Sequence, residues 1–391
     1  MREDWEERNL GDLTTIKTGK LNANAMVENG DFPFFTCSRE IFNIDIYAFD
    51  CEAILLAGNN ASGDFNVKHY KGKFNAYQRT YVITINNEEE LLYVYLKHKM
   101  EANLLNFKNQ SLGANTRFLK VGMIKDMPIP IPPLPEQQQI VAILDEAFEA
   151  IDQAKANIEK NIENAKELFQ SKLNNIFNQK GEGWEEKTLA EVCEIKPPKK
   201  LSKEKLNESD LISFVPMKYL EVNQMYFNSG ETKTLKQAYS GYVYFEEGDV
   251  VLAKITPCFE NGKLGIAKDL ENGIGFGSSE YIPFRTNKAL LINEFLYFFL
   301  NRDTFREKGE RLMSGAVGHK RIQPNFYEEE FILLPSISIQ EEICKEVKQL
   351  QLKLDFVENK YFNKLNLLEE LKKSILQKAF AGELNNKEVE V

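Results

Sequence analysis

The sequence predicts a mixed α/β (α+β) protein made of two globular heads, each followed by one long helix, arranged as an internal repeat. Three observations predict it. First, Trp5-Glu6-Glu7-Arg8-Asn9-Leu10-Gly11-Asp12-Leu13 is answered, at an offset of 179 residues, by Trp184-Glu185-Glu186-Lys187-Thr188-Leu189-Ala190-Glu191-Val192, and these are the only two tryptophans in the chain. Second, the closing segments repeat at an offset of 203. Pro132-Pro133-Leu134-Pro135-Glu136-Gln137-Gln138-Gln139-Ile140 is echoed by Pro335-Ser336-Ile337-Ser338-Ile339-Gln340-Glu341-Glu342-Ile343, and Glu167-Leu168-Phe169-Gln170-Ser171 by Glu370-Leu371-Lys372-Lys373-Ser374. Third, each half passes from strand-like runs broken by Gly/Asn/Asp clusters into one long amphipathic pattern. The second globular part is 24 residues longer than the first, and the helices match. A unit this long is a duplicated domain with its spacer, not a solenoid repeat of ~20–50 residues. The expected bounds are 1–135 for the first head, 136–180 for the central helix, 181–338 for the second head, and 339–391 for the C-terminal helix and tail.

In the first head, Ala53-Ile54-Leu55-Leu56-Ala57 and Tyr81-Val82-Ile83-Thr84-Ile85 read as strands, with a helix expected over 88–101. Pro128-Ile129-Pro130-Ile131-Pro132-Pro133 is a stiff extended exit. The first long helix is expected over 136–177. Its apolar residues Ile140, Leu144, Ala147, Ile151, Ala154 and Ile158 alternate steps of four and three, the pattern of a coiled-coil seam. Pro135 stands just before it, and Gly181 and Gly183 close it. In the second head, Val250-Val251-Leu252-Ala253 and Tyr281-Ile282-Pro283-Phe284 read as strands, followed by a helix over 293–307. The second long helix is expected over 339–380, with Ile343, Val347, Leu350, Leu354 and Val357 on its seam and Gly382 closing it. Each long helix covers ~63 Å at 1.5 Å per residue. A lone helix of that length needs a partner for its apolar stripe, and the other long helix supplies one.

Composition narrows the function. The five cysteines are far apart and odd in number, which argues against a disulfide framework and for the cytoplasm. No Cys-x-x-Cys pair occurs, and with three histidines a zinc site is not expected. The opening Met1-Arg2-Glu3-Asp4-Trp5 lacks the apolar core of a signal peptide, and no run approaches the ~18 apolar residues of a membrane span. There is no Asn/Asp-Pro-Pro-aromatic motif of a DNA methyltransferase, no Gly-x-x-x-x-Gly-Lys-Ser/Thr loop, and no nucleophile–His–acid grouping. The chain reads as non-catalytic, with no cofactor of its own.

Its net charge of −10 is unevenly spread. Stretches 65–87, 102–125 and 311–327 contain lysines and arginines but no carboxylate. Local potential is screened over ~8 Å, so such stretches matter more to a groove than the total does. Three places in each head carry recognition chemistry. The first precedes a strand: Tyr77, Gln78 and Arg79, with Lys68 and Lys73 upstream, against Ser278 and Ser279 and the neighbouring Glu280. Gln suits adenine, Arg suits guanine and a carboxylate suits cytosine N4. The second is the loop before the long helix: Asn115, Arg117 and Lys120, matched by His319, Lys320 and Arg321. Glycines there let backbone approach a phosphate that the cations reach. The third is Lys254 to Lys263, opposite 58–64 in the first head. Taken alone each is an ordinary connecting loop; recurrence in both heads points to function.

The ordered combination resembles the specificity (S) subunit of type I restriction-modification systems. The residues that carry the resemblance are the Trp-Glu openings of both halves, Pro132-Pro133-Leu134-Pro135-Glu136-Gln137-Gln138-Gln139-Ile140, Gly275-Phe276-Gly277-Ser278-Ser279-Glu280-Tyr281, and Ala379-Phe380-Ala381-Gly382-Glu383-Leu384. It covers essentially the whole chain. The resemblance implies two target-recognition domains separated by conserved helices that form an antiparallel coiled coil about a pseudo-twofold axis. Each domain would read one half of an asymmetric bipartite site on double-stranded DNA. The helices would dock two modification subunits, which carry S-adenosylmethionine and methylate adenine; restriction subunits that use ATP and Mg2+ would join that core. A stand-alone DNA methyltransferase and a coiled-coil scaffold without DNA are the competing readings. Methyl transfer by the chain alone, and a salt-sensitive shift of a bipartite oligonucleotide by the complex, separate them.

Overall fold

The computed structural model describes residue 2, residues 4–316 and residues 318–384; Val317 and the expected tail, 385–391, lie outside the described residues. Two compact units result, Met1–Glu159 with Tyr361–Val391, and Lys160–Lys360. Each holds one head, the N-terminal half of the long helix that follows it, and the C-terminal half of the other long helix.

The long helices run Leu134–Asn178 and Ile337–Ala381, 45 residues each. The first starts one residue ahead of Pro135, so that proline lies in the first turn, where its missing N–H would have had no helical partner. Gly181 and Gly183 follow the end of this helix at a distance instead of capping it, whereas Gly382, at φ +76°, directly ends the second. Within each unit the two helix halves run antiparallel. In the first unit Lys155 pairs with Glu369 while Lys372 sits over the Phe148 ring, so a step forward on one helix is a step back on its partner; in the second unit Lys166 pairs with Glu358. Leu144, Phe148 and Ile151 bury against Leu376, Ala379 and Phe380 in the first unit. Phe169, Leu173 and Phe177 share the core of the second with Cys344 and Val347. At ~1.5–3 kcal/mol for each fully buried large side chain, this seam outweighs the exposed ion pairs along it.

The first head is a six-stranded mixed sheet in the order Thr14–Thr18, Thr80–Ile85, Phe49–Ala57, Val67–Ala76, Phe32–Phe35, Phe42–Ile44. The second divides its strands between a five-stranded and a four-stranded sheet. The single strand Val67–Ala76 of the first head is represented there by Leu264–Ala267 and Ile274–Gly277, interrupted by the turn Glu271–Gly273. The repeated openings serve one purpose. Glu6–Asn9 pairs antiparallel with Pro128–Ile131, and Glu185–Thr188 with Phe331–Leu334. The proline-rich exit is thus an edge strand of a two-stranded ribbon, a place where proline is tolerated.

The head helices differ from expectation. The first spans Tyr93–Ala102, not 88–101, because the backbone N–H groups of Glu90 and Leu91 turn back to the Asn87 carbonyl and that of Leu92 is taken by Gln137 Oε1. The second is two helices, Asn293–Leu300 and Asp303–Leu312. The break falls where Arg302 Nε donates to the Phe299 carbonyl and the Asp303 N–H is capped by Gln170 Oε1 at 3.0 Å.

A buried glutamine fastens each long helix to its head. Gln137 is 0% exposed; its Oε1 accepts the Leu92 N–H at 3.0 Å and its Nε2 donates to the carbonyls of Glu90 and Pro132. Gln340, also 0% exposed, does the same with the Ile292 N–H and the carbonyls of Leu290 and Pro335.

Candidate nucleic-acid interface

Three backbone segments meet in the same way in both heads. The Gly58 N–H donates to the Arg79 carbonyl at 2.8 Å, and the Leu119 N–H to the Gly58 carbonyl at 2.9 Å. In the second head the Lys254 N–H donates to the Glu280 carbonyl at 2.9 Å, and the Ile322 N–H to the Lys254 carbonyl at 3.1 Å. Leu112 and Phe118 exchange both backbone hydrogen bonds, as do Ser314 and Arg321. Three equivalences follow: Gly58 with Lys254, Arg79 with Glu280, and Phe118 with Arg321. The loop matched from sequence is therefore shifted by one residue, and Arg117 corresponds to Lys320. The three recognition places converge in each head, and every side chain at the junction differs.

In the first head the junction borders a cleft of about 790 Å³ lined by Ile16, Lys17, Thr18, Lys20, Arg79, Tyr81, Phe118, Leu119, Lys120 and Val121. Four of these are cations and none is an acid. Lys17, Lys20, Arg79 and Lys120 are exposed. Gly19 holds this arrangement together: a Cβ there would lie 1.8 Å from the Ala76 carbonyl oxygen, so only glycine lets Lys17 and Lys20 approach the turn before Arg79. Gln78 Nε2 donates to Asn22 Oδ1 at 2.9 Å, and the Tyr77 N–H to the Phe35 carbonyl. Asn115 is exposed in its loop. Arg117 is turned to its own loop, with Nη1 donating to the Lys108 carbonyl and Ser111 Oγ. Lys68 and Lys73 lie outside the cleft. Lys68 donates to the Ser38 carbonyl and Asn66, and burial lowers its pKa; Lys73 sits over the Tyr47 ring. Reading the sequence by acid-free stretches missed Lys17 and Lys20. Their signal was the repeat itself: Lys17 and Lys20 recur as Lys196 and Lys199, at the offset of the openings.

In the second head Glu280 occupies the position of Arg79. Arg321 grips it bidentately, Nε to Oε2 and Nη2 to Oε1, each 2.9 Å, while Nη1 donates to the His319 carbonyl. The Arg321 hydrogen bonds hold the Glu280 carboxyl below its usual range, and Lys254 stands 4.0 Å away with its own pKa lowered by burial. Ser278 Oγ accepts the Glu280 N–H, setting the turn; Ser279, His319 and Lys320 are exposed. Lys263 Nζ donates to the Met217 carbonyl at 3.0 Å and Lys196 Nζ to the Tyr327 hydroxyl at 2.7 Å. Among the described residues no group of three or more His, Cys, Asp or Glu could hold a metal, and no helix is long and apolar enough to cross a membrane.

The family model of the type I restriction modification DNA specificity domain matches twice, over residues 2–164 and 181–367, once for each half of the repeat. The specificity subunit of the type I restriction enzyme EcoDI of Escherichia coli is 30% identical over 97% of this chain and 89% of that protein. The chain belongs to the type I restriction-modification specificity family. It is a specificity subunit, the non-catalytic component of such a system, which implies DNA binding and assembly with other type I subunits. Another relative, the EcoAI specificity subunit of Escherichia coli, is 33% identical over half of this chain and 32% of its own length. The fold agrees. A chain solved in work on complex assembly and conformational transition of the type I R-M system superposes with a TM-score of 0.73 over 98% of this chain and 99% of that one, at 16% identity. The HsdS subunit from Thermoanaerobacter tengcongensis gives 0.54 over 98% of both, also at 16% identity.

Proposed function

We propose that each head of this specificity subunit reads one half of an asymmetric bipartite site on double-stranded DNA, in the cytoplasm, and that the paired helices set the spacer and dock two modification subunits. The observation that carries this reading is the shared backbone junction with different side chains in the two heads. One frame presented twice with different chemistry suits two different half-sites. DNA contacts come from the residues around that junction: Lys17, Lys20, Tyr77, Gln78, Arg79, Asn115, Arg117 and Lys120 in the first head, and Lys254, Lys263, Ser278, Ser279, His319, Lys320 and Arg321 in the second. Lys68 and Lys73 contribute only to the field around them.

Apolar side chains outside the seam support docking on the helices. Leu352 and Phe356, one turn apart on the second helix, are 68% and 69% exposed. The modification subunits bring S-adenosylmethionine and the adenine chemistry, and restriction subunits bring ATP and Mg2+. They also supply positive surface, which reconciles a chain of net charge −10 with DNA. Exchange of residues 1–135 for the corresponding head of a relative with another target tests the division of labour. One half-site should change while the other half-site and the spacer stay. A change in both half-sites would show that the heads do not read independently.

A further inference from the structure

The equivalence of Arg79 and Glu280 separates base contacts from phosphate contacts. Both residues precede a central strand, and both offer the backbone carbonyl that receives the same hydrogen bond, from Gly58 in one head and Lys254 in the other. Both heads meet the same polyanionic backbone. A position facing phosphate tolerates Lys or Arg, while a carboxylate there is repelled. Lys17 and Lys20 keep their charge as Lys196 and Lys199, although in the second head these donate to the Tyr327 hydroxyl and the Tyr239 carbonyl. Arg79 and Glu280 invert it. In a DNA-facing cleft a carboxylate finds hydrogen-bond donors only on base edges, the exocyclic amino groups of cytosine and adenine in the major groove.

The side chains fit this division. Arg79 is exposed in a cleft lined by no acid, and its guanidinium has no hydrogen bond or ion pair among the described residues. Its fork of donors matches guanine O6 and N7. Glu280 is not free to swing, because Arg321 takes one lone pair of each oxygen. That grip leaves a second lone pair on each oxygen and fixes the carboxylate plane. We propose that Arg79 and Glu280 are the equivalent base-reading residues of the two heads. Arg79 reads a guanine in the half-site of the first head. Glu280, positioned by Arg321, reads a base with an exocyclic amino group in the half-site of the second. This inference rests on the DNA-specificity reading above.

The test is competition binding by the chain assembled with its modification subunits, against duplexes carrying every single-base change in both half-sites. With the wild-type chain, replacing the guanine read by Arg79 weakens binding roughly 10- to 100-fold, the range of one bidentate base contact. Arg79→Ala and Arg79→Lys both flatten discrimination at that one position to about threefold or less and leave the other positions intact; lysine keeps the charge but not the fork. Glu280→Gln flattens one position in the other half-site. Lys17→Ala and Lys20→Ala weaken all duplexes alike and lower the salt dependence. Uniform weakening by Arg79→Ala, with full discrimination retained by Arg79→Lys, would make Arg79 a phosphate contact and overturn the assignment. A wild-type complex with no base preference at any position would instead sink the DNA-specificity reading itself.

Discussion

Single residues decide how the heads are held and what they present. The repeat of Gln137 and Gln340 was visible in the sequence, but their burial was not, because a glutamine in a polar run reads as surface. The structure gives each three hydrogen bonds to backbone groups. Gln137→Ala should cost its unit about 1–3 kcal/mol in denaturant unfolding by stranding the Leu92 N–H and two carbonyls. Gln340→Ala should do the same in the other unit, and an unchanged midpoint for either would show that the fastening is dispensable. The two tryptophans look alike in sequence and are not alike in packing. Trp5 is 4% exposed and donates to Glu136, whereas Trp184 is half-buried and residue 339, at the place of Glu136, is isoleucine. Trp5→Ala should therefore destabilise by ~3–5 kcal/mol, and Trp184→Ala by clearly less. At the interface, Glu280 should remain ionised as pH falls towards its usual 4.5, because Arg321 lowers its pKa. A depressed carboxylate keeps its contribution above the unfolded value and loses it as pH falls through the folded one. Discrimination at the one base position read by Glu280 should thus stay flat from about pH 8 to about pH 5. A loss beginning near neutrality would contradict the Arg321 clamp.

Among the elements, the long helices were the most legible. The early alternation of fours and threes, followed by an amphipathic pattern to the end of each segment, marks a long helix, and the structure extends each helix by only a few residues. The head helices were less legible, since their limits are set by hydrogen bonds from distant residues: Gln137 takes the N–H of Leu92, and Gln170 caps Asp303. Two strands of the second head, at 250–253 and from 281, were legible, but the others and its division into two sheets were not, because the turn at 271–273 leaves no mark stronger than an ordinary Asn-Gly. The seam makes its own prediction. Lys155→Ala should cost well under ~1 kcal/mol, as for other exposed pairs, while Phe148→Ala should cost ~3–5 kcal/mol. Four residues inserted into each helix, about one turn and ~6 Å, should lengthen the spacer of the recovered DNA motif and leave both half-sites unaltered. An unchanged spacer would refute the role of the helices as a ruler.

For the whole molecule, the duplicated plan was legible because both the openings and the closings recur, and two different offsets locate the extra residues in the second head. The candidate interface was only partly legible. Acid-free stretches led to Arg79, Arg117 and Lys120 but passed over Lys17 and Lys20, which join them only through the fold. They also led to Arg321, which grips Glu280 bidentately. The central claim is that this chain, through two unlike heads, confers a split DNA target on a methyltransferase partner. It is tested most directly by a genome-wide map of methylated bases in a methylation-free host, comparing the chain plus its modification subunit with the modification subunit alone. The account predicts N6-methyladenine at one bipartite motif with a fixed spacer, only when the chain is present. No new methylation from a complex that does assemble would contradict it.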